Sequence, residues 1–160
     1  MTILIPVLGD QLSLGVSSLQ GVDPADARIL MMEVADETSY VRHHKRKIAF
    51  ILSAMRHHAE RLRASGWQVD YIRLDDPENQ GSFEAEIARA IARHGPSKIR
   101  VTEAGEWRVR ETMAGWEKSF GLPVEICPDT RFIAPPGFFR TWAEGRKQLR
   151  MEYFLSLIHI

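Results

Sequence analysis

Residues 31–58 read MMEVADETSYVRHHKRKIAFILSAMRHH, and this stretch decides the fold. It begins inside a mostly apolar run, 29–34, short enough for a buried strand. A polar turn follows, Asp36-Glu37-Thr38-Ser39, and then a long amphipathic pattern. Ile48, Ile51, Leu52, Met55, Ala59 and Leu62 recur every three to four residues, the spacing of one helix face. The pattern predicts a helix over about 41–65, with Thr38 or Ser39 as N-cap, since a hydroxyl there accepts from the unpaired amides of the first turn. A strand running into a helix is half of a βαβ unit. In open α/β sheets ligands bind at such junctions, outside the carboxyl ends of the strands. Glu33 and Glu37 flank this junction, with Tyr40 just beyond.

Outward from there the alternation repeats. On the N-terminal side, TILIPVL at 2–8 is apolar on both faces, as a central parallel strand requires, although Pro6 cannot donate to a ladder. It ends at Leu8-Gly9-Asp10-Gln11-Leu12, a second candidate ligand edge. On the C-terminal side Gly66 stops the long helix, 68–74 form a strand, and Ser82 caps a helix that carries Glu84 and Glu86 at its positive end. KIRVT at 98–102 is a fourth strand, and it runs into Glu103-Ala104-Gly105-Glu106-Trp107-Arg108, a third edge. One helix over 107–120 is expected to bury Trp107, Met113 (or Val109), Trp116 and Phe120. A fifth strand, 124–127, leads to a proline-marked connector and a helical pattern over 138–153. Five strand–helix alternations predict an α/β fold, a doubly wound (Rossmann-like) five-stranded parallel sheet with helices on both faces.

Bulk properties exclude several classes. At 160 residues the chain suits one α/β domain. Twenty-one basic residues balance 21 acidic ones, so no global field draws in nucleic acid or an anionic membrane, though a local patch remains open. A lone cysteine, Cys127, forbids an internal disulfide and cannot by itself hold zinc or an iron–sulfur cluster. No apolar stretch approaches the roughly 20 residues of a membrane span. No basic region precedes a long apolar core at the N-terminus, which makes the cytoplasm the expected location.

Each candidate residue has two readings. Asp10 either hydrogen-bonds a ligand's N–H groups or makes an Asx-turn. Glu33 and Glu37 either fix a polyhydroxyl or heteroaromatic ligand, or are solvated, or pair with Arg42 or Lys45. Gly105, between Glu103 and Glu106, lets a backbone approach a ligand closely. His43-His44 and His57-His58 cannot share one metal ion within this helix, because His44 and His58 stand about four turns, roughly 20 Å, apart. RHHKRK at 42–47 reads as a solvated basic face or a phosphate patch. No glycine-rich phosphate fingerprint and no Ser-His-Asp or Cys-His set stands out, so no residue takes a catalytic role and none a metal-ligating one.

LGDQLS at 8–13, the stretch from Glu33 through Arg63, VTEAGEWRVRETM at 101–113, RFIAPPGFFRTWAEGRK at 131–147 and MEYF at 151–154 carry a resemblance. They resemble the N-terminal domain of the iron–sulfur bacterial cryptochromes and photolyases, also labelled deoxyribodipyrimidine photolyase-related proteins. The resemblance runs over residues 2–154. It implies (6-4) photolyase or cryptochrome relatives longer than this chain. Their α/β domain holds an antenna chromophore, 6,7-dimethyl-8-ribityllumazine, and a C-terminal helical domain holds FAD and a four-cysteine [4Fe–4S] cluster. It places the small-molecule chromophore against Leu8, Gly9, Asp10, Gln11, Glu33, Val34, Glu37, Tyr40, Gly105 and Glu106. Damaged DNA is expected as a partner only through the longer protein, and no membrane is expected.

The resemblance also divides the chain into an antenna domain at 1–130, a connector at 131–154 and a tail at 155–160. The tail, LSLIHI, departs from the family pattern and is expected to be foreign, the chain being a fragment. Phe138, Phe139, Trp142 and Tyr153 are expected to expose an apolar face for the missing helical domain and to favour self-association. Two other functions stay open: a stand-alone nucleotide- or flavin-binding α/β module, and an interaction module without a cofactor.

Overall fold

Five short runs rich in Ile, Leu, Val and Met form strands: β1 (Ile3–Pro6), β2 (Ala27–Met32), β3 (Gln68–Ile72), β4 (Lys98–Thr102) and β5 (Val124–Cys127). In this computed structural model, which describes residues 2–158, the strands make one all-parallel sheet in the order β3-β2-β1-β4-β5. The helices are α1 (Ala35–Ser39), α2 (Lys45–Ala64), α3 (Phe83–His94), α4 (Trp107–Ala114), α5 (Trp116–Phe120), α6 (Pro136–Ala143) and α7 (Met151–Ile158). The described residues fall into two compact units that divide between Pro128 and Asp129.

The first unit has two cores, one on each face of the sheet, as double winding demands. Leu4, Leu30, Met32, Ile99 and Val101 pack with Ile87 of α3 and Val109, Met113 and Trp116 of α4 and α5. Ile5, Ile29, Met31 and Val69 pack with Met55, Ala59 and Leu62 of α2 and with Val16 and Leu19 of the loop after β1. The chain winds from β1 to β2 and β3 on one side, then returns to place β4 on the other side of β1. The strand order therefore reverses between β1 and β4, which is the topological switch point.

Pro6 helps to open that point. Val7 N–H donates to Leu30 O at 2.9 Å, so in a parallel ladder the amide that Pro6 lacks falls on the β4 side. Register between β1 and β4 ends at Leu4↔Ile99, before Pro6 is reached. A side chain takes over from the ladder: buried Gln11 donates through Nε2 to Thr102 O (3.0 Å) and Glu103 O (3.3 Å), and its Oε1 accepts from Leu8 N (3.3 Å).

Several expected boundaries move. The long helix begins at Lys45 rather than near residue 41, because the polar turn folds into the separate short helix α1. Thr38 and Ser39 do not cap it; both hydroxyls donate back to Ala35 O, while His44 Nδ1 accepts from Arg46 N as the N-cap of α2. At its other end Trp67 N bonds Leu62 O and Gly66 N bonds Arg63 O, the paired Schellman bonds expected around Gly66. The helix predicted over 107–120 is split at Gly115, whose N–H closes a tight i→i−3 bond on Thr112 O. Trp107 is 69% exposed rather than buried, since the inward stripe runs through Val109, Met113 and Trp116.

In the second unit, α6 and α7 replace the single helix predicted over 138–153, with Gly145 between them at φ 71°, a left-handed conformation. Phe138, Phe139 and Tyr153 are exposed as expected, but Trp142 is buried, its ring 5.1 Å from that of Phe154 and 5.7 Å from that of Phe139. His159 and Ile160 of the tail, and Met1, lie outside the described residues.

Candidate functional site

A cleft of about 470 Å³ opens at the carboxyl edge of the sheet, within the first unit. Gly9 and Asp10 border it from the end of β1, Val34, Glu37 and Tyr40 from the end of β2, and Gly105 and Glu106 from the end of β4. All three predicted edges thus meet in one place, because the switch point puts β4 beside β1 and β1 beside β2. Leu8 also borders the cleft, through the α3–α4 core. Gln11 does not border it; its amide lies beneath, bridging β1 to β4.

The walls are apolar. Ile48, Ile51, Leu52 and Met55 of α2 line the cleft from one face of the sheet, and Phe83, Ala104 and Val109 from the other. The α2 stripe read as helix core is fully buried only from Met55 onward; Ile51 and Leu52 pack against the core but, like Ile48, stay partly exposed at the cleft. Gly9 lets the β1 end approach the α2 wall closely: a Cβ there would lie 3.1 Å from Met55 Sδ.

The rim is charged. Glu37 accepts from Arg108 Nη2 with both oxygens, at 2.8 and 2.9 Å, and Arg108 Nε also pairs with Glu106 at 3.1 Å. The Arg108 guanidinium lies 4.4 Å from the centre of the Tyr40 ring. This one side chain gathers three predicted residues from two strand ends. The sequence places Arg108 in the third edge but assigns it no site role; its position just past Gly105-Glu106 was the available signal. His43 and Lys47 add a basic stretch to the lining, with Lys47 Nζ 3.4 Å from His43 Nδ1.

Glu33 borders the cleft but its carboxylate is used up within the fold. It accepts from Arg56 Nε (2.7 Å) and Nη2 (2.9 Å), from the Tyr71 hydroxyl (2.6 Å) and from Leu74 N (2.9 Å). Both alternatives weighed from sequence fail: Glu33 is buried rather than solvated, and its partner is Arg56 rather than Arg42 or Lys45. Alternation explains it, since Glu33 continues β2 and points to the α2 face as Ile29 and Met31 do. Burial alone would raise its pKa, but the bonds from Arg56, Tyr71 and Leu74 outweigh that and hold the carboxyl below its usual range. The Tyr71 hydroxyl is pushed up, by burial first and then by its bond to Glu33.

Among the described residues no group of three or more His, Cys, Asp or Glu is placed to hold a metal ion. No described helix is long and apolar enough to cross a membrane.

Two comparisons bear on this site. The family model described as deoxyribodipyrimidine photo-lyase-related protein matches residues 5–156. The chain is also similar to a (6-4) photolyase of Agrobacterium fabrum, with 54% identity over 154 residues, 96% of this chain. The chain spans 30% of the length of that curated relative.

Proposed function

The chain belongs to the deoxyribodipyrimidine photo-lyase-related protein family, and on that premise we propose that it binds an antenna chromophore for a light-driven DNA photolyase or cryptochrome. The chromophore we assign is 6,7-dimethyl-8-ribityllumazine, a two-ring heteroaromatic with a polyol tail. One observation carries the reading: the cleft at the switch point joins an apolar wall to a rim of carboxylates. Its volume falls in the range of about 300–1,000 Å³ usual for small-ligand sites.

Ile48, Ile51, Leu52 and Met55 would cover the ring and exclude water from it. Asp10 and the Gly105 backbone would meet the pyrimidine edge, and Glu37 the ribityl hydroxyls, with Arg108 holding Glu37 in place. A bound lumazine supplies light absorption and passes excitation to a flavin. FAD and a [4Fe–4S] cluster belong to a further helical domain on this reading. The chain's own residues do not fit the cluster, since Cys127 is its sole cysteine and four thiolates are required. The exposed Phe138, Phe139 and Tyr153 are assigned to contact with that domain.

Mixing the chain separately with lumazine, FAD and AMP, then reading absorbance and fluorescence after gel filtration, tests the proposal. Lumazine is expected to co-elute. Retention of FAD or AMP in its place would make the chain a nucleotide- or flavin-binding module, and retention of none would leave an interaction module.

A further inference from the structure

The inward face of α2 lines the cleft, whereas its outward face has no role there. Arg46, Phe50, Ser53, His57 and Arg61 occupy positions i, i+4, i+7, i+11 and i+15, so they fall on one line. All are exposed, Phe50 to 74%. The line is about 22 Å long at 1.5 Å per residue. Arg42 and Lys45 stand near its start. Among the described residues, no carboxylate lies within ion-pair distance of Arg42, Lys45, Arg46, Lys47 or Arg61. Glu60, the acidic residue of α2, is held by Arg63 at 2.6 Å.

The start of the helix is also charged against its dipole, although Arg61 and Arg63 in the last turn suit it. Its first turn holds Lys45, Arg46 and Lys47 with no acidic residue, against the positive end of the helix dipole. Of the other long helices, α4 shares this start, with Arg108 and Arg110 and no acidic residue in its first turn, whereas α3 does not. In α3, Glu84 and Glu86 stand in the first turn and Arg93 and His94 in the last, as the dipole favours. Local rules broken at particular elements are expected where function requires it. The formal net charge is zero, so this field is local rather than a by-product of a basic protein.

We propose that the outward face of α2 and the basic residues at its start form a contact surface for the phosphate backbone of a nucleic-acid strand, with Arg46 and Arg61 on that face and Arg42 and Lys45 at the start facing phosphates, and Phe50 offering a plane for an unpaired base. Unpaired cations along one helix face are the footprint of a regularly spaced polyanion. An exposed aromatic set among cations suits stacking on a base. A lipid surface fits less well, because a helix lying on a membrane needs a broad apolar outer face and this one presents Phe50 alone. The surface stands independently of the chromophore reading, since it shares no residue with the cleft wall.

The test is fluorescence anisotropy of labelled 20-nucleotide single-stranded and duplex DNA with the full chain, at salt from about 50 to 200 mM. Anionic vesicles of phosphatidylserine and phosphatidylcholine serve as a second probe. Both DNAs are expected to bind, with a slope of log K against log salt of about −2 to −4 for three to four neutralised phosphates. Arg46→Gln with Arg61→Gln should lower affinity about tenfold or more and reduce that slope by about 1.5 to 2. Phe50→Ala should weaken the single strand by about 5- to 100-fold and leave the duplex unchanged. All three positions are exposed, and thermal melts confirm that the variants fold. No DNA binding at 50 mM salt, a slope that the arginine variants leave unchanged, or binding to vesicles without binding to DNA would each overturn the proposal.

Discussion

Replacing Glu33 by Gln separates a residue that builds the cleft from one that would touch its guest. The wild-type carboxylate accepts four hydrogen bonds, two of them from one guanidinium, and its side chain has no exposure to solvent. Glutamine keeps one oxygen but turns an NH₂ toward groups that are themselves donors. Breaking a buried ion pair from one side costs about 3–5 kcal/mol. Arg56 is 43% exposed and can turn to water, so the low end applies, about 3 kcal/mol. At about 2–4 °C per kcal/mol for a chain of this size, Tm should fall by about 6–12 °C. Lumazine affinity, titrated well below the melt, should change by less than about threefold, since the carboxylate makes no rim contact. The pH profile adds a signature. A carboxyl held below its free value of 4.5 contributes stability that is complete above that pH and is lost as pH falls through the folded value. The Tm gap between wild type and Glu33→Gln should therefore close in acid. An unchanged Tm with lost lumazine binding would refute this reasoning and return Glu33 to the ligand.

Glu37→Ala should weaken lumazine by about 10- to 150-fold, the value of a hydrogen bond to a charged acceptor. It should leave stability nearly intact, because the Arg108 pair lies at a solvent-exposed rim and such pairs contribute about 0–1 kcal/mol; a lowered melt with unchanged affinity would make Glu37 a helix-start charge only. His58 is buried, and neither ring nitrogen has a hydrogen-bond partner among the described residues; burial first and the Arg61 charge second lower its pKa from 6.5. The unfolded chain then binds the proton first, so stability should drop as pH falls below about 6.5, and urea melts of His58→Leu should show a flatter profile over pH 5–7. Gly9→Ala drives a methyl against Met55 Sδ; methionine adapts, so stability should fall by only about 1 kcal/mol, while the displaced side chain narrows the cleft and weakens lumazine, as paired melts and titrations would show.

The parts of this molecule readable from sequence are those set by neighbours in the chain. β4 and β5 lie where their apolar runs predict, and α3 runs from the Ser82 cap to Gly95 because both signals act within one turn. The glycines and carboxylates of the cleft were visible for the same reason, each lying within a few residues past a strand end. What stayed hidden depends on partners far along the chain. Glu33 meets Arg56, Tyr71 and Leu74 at separations of 23, 38 and 41 residues, and Arg108 reaches Glu37 across 71. Apolar periodicity could not show that the upper half of the α2 stripe faces a cleft rather than strands, since both bury the same residue types. The start of α2 was misplaced because a histidine ring does the capping, which hydroxyl residues more commonly do.

The proline at the end of β1 has a consequence for how such a cleft can change over time. Where β1 and β4 part, no main-chain ladder sets their spacing; the amide of Gln11 does. The width of the floor is thus encoded in a single codon rather than in the geometry of a sheet. A longer or shorter side chain at that position can re-space the two strand ends while the register below Leu4 is untouched. Substitution there is expected to alter the width of the cleft at the cost of leaving the Leu8 amide and the Thr102 carbonyl without their partner.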